Sequence, residues 1–459
     1  MKFIGRETEL RLLQKMYDSA EMQTCVLYGR RRIGKSELIK HSLKEQKQKW
    51  IYYECKQTTE DNNAESLSNL ISDAFNMPGL HFRNMAGILR FLFTQAKEEP
   101  MILVIDEYPY LISAIQGIDS ILQSLIDEYR TQSKIKLILC GSYVDTMKSL
   151  LESENPLFGR IDRIIHLKAM DYYDSSKFYE SYSEEDKVRL YSVFGGIPYY
   201  NQLIDPSLSV RDNIIELIAS PNSRLENEVS MYLRSEIHRI TNANEVIETL
   251  AKGYSRFSDI LYQSHVSSSP TLVDVLEKLT QMEIVEKSAP INDEKNRRKA
   301  GYYISDPLSM FYFRYCFRYA SQLSVLNPEV FYDRYIKQDF ETWYVPHYFE
   351  TVCRQYLIRQ NRSNLLAIPF DRIGRYWYDD PVNKTNGEFD LVTEDSNGYI
   401  FYEVKFHKDR ITQSYIDMEM EQVKKTGLNC YRFGFISRSG FDVIPNDSLI
   451  LIHLKDLYQ

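Results

Sequence analysis

From Thr24 to about Lys168, short apolar or β-branched runs alternate with segments whose apolar residues recur every three or four positions. The runs are Thr24–Gly29, Trp50–Cys55, Met101–Asp106, Lys134–Ser142 and Arg163–Ala169, while Ser36–Glu45 and Ile121–Arg130 carry helical spacing. Strands apolar at nearly every position are covered on both faces, so this alternation predicts a parallel α/β sheet over residues 1–168.

The pattern then changes. From about Asp171 to Ile237 strand signals vanish, and Phe178–Phe194, Val210–Ala219 and Arg224–His238 all space their apolar residues as helices, which predicts a small helical lid over 169–238. Glu245–Gly253, Arg256–Ser264 and Thr271–Met282 read as three short helices. Ile284–Ile291, a charged turn and Tyr302–Ser305 follow as a hairpin, so a winged helix-turn-helix is predicted over 239–325. The aromatic-dense stretch Met310–Ala320 suits a spacer packed on both sides. A helix from Asp339 to Gln360 then opens a domain of alternating strands and turns, 326–459. Fixed-period repeats and low-complexity tracts are missing from the sequence.

Composition narrows the functional classes. With 43% hydrophobic and 26% charged residues in 459, the chain can bury several cores, and its length implies about three domains. Against 64 acidic side chains stand 56 basic ones, a net charge of −8, so any nucleic-acid contact has to be local. Six scattered cysteines (25, 55, 140, 316, 353 and 430) form no C-x-x-C pair, which fits a reducing compartment. Apolar runs stay short of the roughly 18 residues that span a bilayer, so a soluble cytoplasmic protein without membrane contact is expected.

One segment carries defined chemistry. Gly29-Arg30-Arg31-Arg32-Ile33-Gly34-Lys35-Ser36 follows a predicted strand and opens a helix, matching G-x-x-x-x-G-K-[ST] at every fixed position. Its glycines let the main chain curl so that N–H groups face phosphates at a helix N-terminus. Lys35 is expected to reach the β/γ-phosphates, Ser36 to ligate Mg²⁺, and Glu37 to follow in the first turn. The three arginines steer nucleotide, or form a solvated basic face. Asp106, ending a buried strand, is expected to hold Mg²⁺ through water, and Glu107 to act as general base on the attacking water. Ser142, one strand later at the ligand-binding edge of such sheets, is a candidate γ-phosphate sensor. Arg160 is an arginine-finger candidate, with an ordinary surface arginine as the alternative.

In order, FIGRETEL, LYGRRRIGKSELI, LVIDEYPYL, GSYVDTM, PLFGR and GGIPYY resemble the archaeal-type P-loop ATPases of the AAA+/STAND group over about the first half of the chain. The resemblance implies that Gly5-Arg6-Glu7 frame the adenine pocket, that Gly196 and Pro198 of the lid touch nucleotide, and that slow hydrolysis serves as a switch. It also implies that the winged helix and aromatic tail match an uncharacterised domain often fused to these ATPases.

In the winged helix, Ser269-Pro270-Thr271 opens the third helix, whose Asp274, Glu277 and Lys278 give no strong basic face. The wing is more basic, with Lys295, Arg297, Arg298 and Lys299 suited to phosphate contact; DNA binding, protein docking and internal control remain alternatives.

Near the C-terminus, Gly387–Val392 and Ile400–Lys405 read as a hairpin around Asp395–Gly398. Residues i and i+2 of a strand share a face, so Glu403 and Lys405 project together, and pairing brings Asp390 beside them. Two carboxylates and a lysine suit Mg²⁺-dependent phosphodiester cleavage. Helix, strand, strand and helix, with Glu350, Asp390, Glu403, Lys405 and Gln422, resemble the PD-(D/E)xK nucleases, although the usual proline before the aspartate is absent. An α/β restriction-endonuclease-like domain is therefore expected, with Glu350, Asp390 and Glu403 as metal ligands. The alternative is a cross-strand ion pair in an inert fold. Histidines 166, 265, 347, 407 and 453 lack mutual metal-ligand spacing.

Taken together, an ATP- and Mg²⁺-dependent switch is expected to act on DNA through the winged helix and a nuclease-like tail, with oligomerisation open. The alternative is a nucleotide-gated regulator or scaffold that docks DNA or protein.

Overall fold

A computed structural model describes residues 3–237, 240–296, 299–380 and 385–459. The chain divides into two compact units, 3–169 and 170–459.

In the first unit, strands β1 (Gln23–Tyr28), β2 (Lys49–Glu54), β3 (Met101–Asp106), β4 (Ile135–Gly141) and β5 (Arg163–His166) form one sheet in the order β2-β3-β4-β1-β5. Every pairing in it is parallel. All six residues of β3 and all seven of β4 are buried, which is why their sequences are almost unbroken apolar runs. Leu103, Ile105, Leu137 and Leu139 pack with Leu67, Leu89, Leu92 and Leu122 from the covering helices. Burying each such side chain contributes about 1.5–3 kcal/mol. Because the strands run in parallel, their carboxyl ends share one edge, where β1 feeds helix α2 (Lys35–Leu43) and helix α1 (Glu7–Tyr17) packs against it. Crevices at this edge are where open parallel sheets bind ligands.

The second unit begins with helices. Glu184–Phe194 is capped by Ser183 accepting from Asp186 N–H, and Glu228–Glu236 follows later. Residues 170–237 pack onto the C-terminal elements of the same unit. Arg189 pairs with Glu341 at 2.9 Å, Gln355 donates to the Tyr191 hydroxyl at 2.9 Å, and Tyr172 donates to the Leu457 carbonyl. Three helices, Ile240–Ala251, Phe257–Gln263 and Ser269–Gln281, precede the antiparallel pair β6 (Val285–Ser288) and β7 (Gly301–Ile304). The cap of the third helix is Ser268, one residue before the expected Ser269, because its side chain accepts from Thr271 N–H while Pro270 needs no partner.

The aromatic stretch is helical and interrupted by π-helical turns at Tyr312–Phe317, Tyr332–Ile336 and Phe340–Tyr344. Phe311, Tyr315, Phe340 and Tyr344 interlock there edge-to-face or offset. Helix Val345–Arg362 then leads to a mixed sheet of β8 (Arg372–Asp380), β9 (Thr385–Asp395), β10 (Gly398–Lys405), β12 (Cys430–Ser437) and β14 (Leu449–His453), in the order β14-β12-β10-β9-β8. A separate short pair is β11 (Ile411–Thr412) with β13 (Phe441–Asp442), and helix Gln413–Lys425 precedes β12. Among the described residues, no helix is long and apolar enough to cross a membrane.

Candidate nucleotide site and the C-terminal acidic cluster

The loop from Gly29 to Gly34 joins β1 to α2. A Cβ at Gly29 would lie 2.3 Å from the Leu167 carbonyl oxygen, so a side chain there is sterically excluded. Arg32 at φ 67° and Gly34 at φ 92° take left-handed conformations, which curl the main chain at the start of α2. Ile33 and Arg30 are buried, whereas Arg31, Arg32 and Glu37 are exposed. Arg31 donates to the Tyr143 hydroxyl at 3.0 Å and stands 5.3 Å from its ring centroid. Gly5 and Arg6 are also left-handed, and Arg6 donates to the Ile33 carbonyl at 3.3 Å, so the N-terminal segment is tied to the loop.

The charged groups form a connected chain. Lys35 is buried, and its Nζ donates to Gly29 O at 2.9 Å, Arg30 O at 3.2 Å and Ser142 Oγ at 2.9 Å. Burial lowers its pKa, against the opposing pull of the Cys140, Glu107 and Asp106 side chains. Ser142 in turn donates Oγ–H to Glu107 at 2.6 Å and N–H at 3.2 Å. Glu107 is held in the left-handed region at φ 52°, which turns its carboxylate back towards β4. Ser36 donates to Asp106 Oδ2 at 2.7 Å. Burial acts to raise the Asp106 pKa, but hydrogen bonds from Tyr52, Cys140 and Ser36 and from Glu107 N–H hold it below the usual carboxylate range. Lys35, Ser36, Asp106, Glu107 and Ser142 are thus brought together.

Residues 3–203 match the family described as an ATPase domain predominantly from Archaea. The N-terminal part of this chain is thus similar to archaeal-type P-loop ATPase domains. Residues 312–423 match a family of archaeal and bacterial proteins of unknown function. An uncharacterized protein of Methanocaldococcus jannaschii is 29% identical over 461 residues, covering 99% of each chain. A second uncharacterized protein of that organism is 30% identical over 89 residues, 18% of this chain and 86% of its own length. A Walker-type ATPase of Pyrococcus abyssi shares the fold with a TM-score of 0.51 and 21% identity, over 68% of this chain and 96% of that one.

Two expected contributors to the ATPase domain have other partners. Arg160 is clamped by Asp127 through two contacts of 2.8 Å and donates to the Pro156 and Phe158 carbonyls, so its guanidinium is engaged away from the phosphate loop. Pro198 opens a four-residue helix in the second unit. Gly196 has a packing reason for its missing side chain, since a Cβ there would meet the Met170 carbonyl at 1.9 Å. Tyr52 escaped the sequence reading; its signal was the last outward position of β2 before Glu54, beside the acid-ending strand β3.

In the second unit, Glu350 comes from helix Val345–Arg362, Asp390 from β9, and Glu403 and Lys405 from β10. The register Leu391↔Tyr402 places Asp390 beside Glu403. Lys405 Nζ lies 2.5 Å from Glu403 Oε1, which also accepts from the Tyr415 hydroxyl at 3.1 Å. Glu350 is pushed up to about 8 by burial, then by the like charges of Asp390 and Glu403. Burial also raises Glu403, against Lys405, and loss of solvation acts in the same direction on the exposed Asp390, against Arg375 and Lys405. His347, stacked on Trp343 and 4.0 Å from Glu350, is lowered to about 4 by burial and by the Arg375 and Arg314 charges.

Among the described residues, no group of three or more His, Cys, Asp or Glu side chains is arranged to hold a metal ion. Lys405 and Tyr415 engage Glu403, Arg375 pairs with Glu388 at 3.1 Å, and Glu350 lies 4.0 Å from His347. Gln422 donates to the Tyr378 hydroxyl at 2.9 Å.

The expected wing is docked. Ile291 N–H donates to Arg375 O at 2.8 Å, and Asn292 exchanges two hydrogen bonds with the Trp377 main chain at 2.6 and 3.1 Å. Ile291 is buried in the core of the C-terminal sheet, and Gly374 leaves room for its methyl group. The segment thereby covers β8, an edge strand. Lys299 pairs with Asp293 at 3.1 Å and lies 5.3 Å from the Trp377 ring, Lys295 is exposed, and Arg297 and Arg298 lie outside the described residues.

Proposed function

We propose that the chain is an ATP-dependent switch whose nucleotide is held by Gly29–Ser36 with Glu37 in the following turn, and whose second unit acts on DNA. The observation that supports this most is the Lys35–Ser142–Glu107 chain beside the Ser36–Asp106 bond, at the mouth of a loop whose first glycine has no room for a side chain. This arrangement fits Mg²⁺-ATP. Left-handed turns direct main-chain donors to the loop interior, Lys35 supplies a cation, and Ser36 and Asp106 supply the oxygens a hard metal prefers. When bound, Mg²⁺ spreads the charge that develops on the phosphoryl oxygens.

The residues then have distinct tasks. Phosphate oxygens replace the Gly29 and Arg30 carbonyls as partners of Lys35. As Lys35 leaves Ser142, the serine hydroxyl is released to read the same phosphate. Glu107, freed in turn, accepts a proton from the attacking water at its carboxylate. The adenine frame of Gly5-Arg6-Glu7 and contacts from Arg31, Arg32 and Arg160 belong to the same proposal; Arg160 has to exchange Asp127 for phosphate to take part.

Lys35→Ala tests the site: the full chain is expected to lose the thermal shift that ATP produces in the parent. An undiminished shift contradicts the assignment.

For the second unit, Glu350, Asp390, Glu403 and Lys405 support metal-assisted phosphodiester cleavage, since three acids of raised pKa are neutralised by a cation as well as by protons. The Lys405–Glu403 pair and the docked wing favour the second reading, a nucleotide-gated DNA- or protein-binding scaffold. Incubating plasmid with Mg²⁺ or Mn²⁺ separates them. Nicking by the parent and not by Glu403→Ala or Lys405→Ala supports cleavage; equal inactivity supports the scaffold.

A further inference from the structure

Strand β2 brings a tyrosine to the acid that ends β3. Tyr52 pairs in register with Val104, two residues before Asp106. Its hydroxyl donates to Asp106 Oδ2, the oxygen that also accepts Ser36 Oγ–H at 2.7 Å. Oδ1 accepts Glu107 N–H at 2.9 Å. Both oxygens are therefore held, and a hydrogen bond from the Cys140 thiol adds a fourth donor to this carboxylate.

The tyrosine is itself steadied. Lys40 lies one turn beyond Ser36 on α2, and its ammonium stands 5.1 Å from the Tyr52 ring centroid. The helix that presents Ser36 thus also aligns the ring whose hydroxyl meets Asp106. Tyr52 is half-buried, at the carboxyl edge of the sheet and outside the central core.

We propose that Tyr52 is the positioning residue that fixes Asp106 towards the metal shell of bound Mg-nucleotide. This rests on the nucleotide reading above. A carboxylate that works through metal-bound water serves only if its oxygens are held in one orientation, and such outer partners strongly affect metal affinity. Ser36 is assigned to the metal itself, so Tyr52 supplies the hydroxyl donor that stands outside that shell, beside the weaker thiol of Cys140. Removing its hydroxyl leaves the ring in place and frees one face of Asp106.

The test compares the full-length parent with Tyr52→Phe and Tyr52→His. Thermal shifts are measured with ADP alone and with ADP across a Mg²⁺ titration, alongside the Mg²⁺ dependence of ATP hydrolysis. Tyr52→Phe is expected to raise the Mg²⁺ midpoint about tenfold, in both assays, with the ADP-only shift retained. Tyr52→His, which keeps a ring donor, is expected to recover part of that loss. A parent-like Mg²⁺ midpoint in Tyr52→Phe overturns the proposal, as does early melting without nucleotide, which would make the hydroxyl structural. If the parent itself shows no nucleotide-induced shift, the nucleotide reading fails first, and that result is distinct from a failure of Tyr52 alone.

Discussion

The phosphate-loop site and the C-terminal acidic cluster are built from the same kinds of group, carboxylates with one lysine, and their electrostatics are opposite. Around β3, each charge has donors or acceptors of its own: Asp106 is held below the usual carboxylate range, and Lys35 reaches two carbonyls and a hydroxyl. Around β10, acids face acids, and Glu350 rises to about 8 because burial and two like charges outweigh Lys405 and Arg375. Composition therefore says little about a site. What differs is whether hydrogen-bond donors outnumber the negative charges they serve. The first site is organised before its ligand arrives, whereas the second relieves its repulsion by binding protons or a cation.

The sharpest way to break this comparison is Glu107→Gln. Nucleotide binding should persist while ATP hydrolysis falls by about 100-fold or more, as expected when a general base is lost. Equal turnover would remove Glu107 from the chemistry.

Next in size is Gly29→Ala. The added methyl meets the Leu167 carbonyl at 2.3 Å, so chemical denaturation should show a loss of about 1–3 kcal/mol, with nucleotide binding weakened as the loop shifts. Unchanged stability would mean that the loop has more room than this packing allows.

Glu350→Gln addresses the second site. The folded-state value near 8 lies above the ordinary carboxylate value of about 4.3, so the folded protein holds an extra proton between them. Stability contributed by that proton is present at low pH and is lost as pH rises towards 8. With chelator present, the glutamine variant should match the parent near pH 5 and melt about 2–4 °C higher at pH 8.5. Equal melting at both pH values would show that the like-charge repulsion is absent.

The smallest expected effect is at the docked hairpin. Asn292→Ala removes two hydrogen bonds to Trp377, each of about 0.5–1.5 kcal/mol, and should speed amide exchange along β8 while leaving β3 unchanged. Unchanged exchange at Arg375 and Trp377 would separate this loop from the stability of the edge strand.

Much of the first unit was legible because its signals are local. A buried parallel strand announces itself as an apolar run, and a phosphate loop as two glycines and a lysine at set distances, so β1, β3, β4 and Gly29–Ser36 lie where the pattern placed them. Tyr52 was not legible, because its partner stands 54 positions away and only the β2–β3 register joins them. The acids of the second unit were found for the same reason as the loop: i and i+2 in a strand share a face. The engagement of Glu403 with Tyr415 was not, since it depends on how a strand and the following helix converge.

By itself, then, the order of residues determined the parallel sheet, the curled anion loop and the short list of acids worth attention, since each depends on neighbours within a few positions. Tertiary structure alone decided which donors reach which acid, that Arg160 faces Asp127, and that a basic hairpin lies along an edge strand. Those outcomes turn on distances between residues far apart in the chain, and hydrogen bonds and buried charges are sensitive to fractions of an ångström that no local pattern encodes.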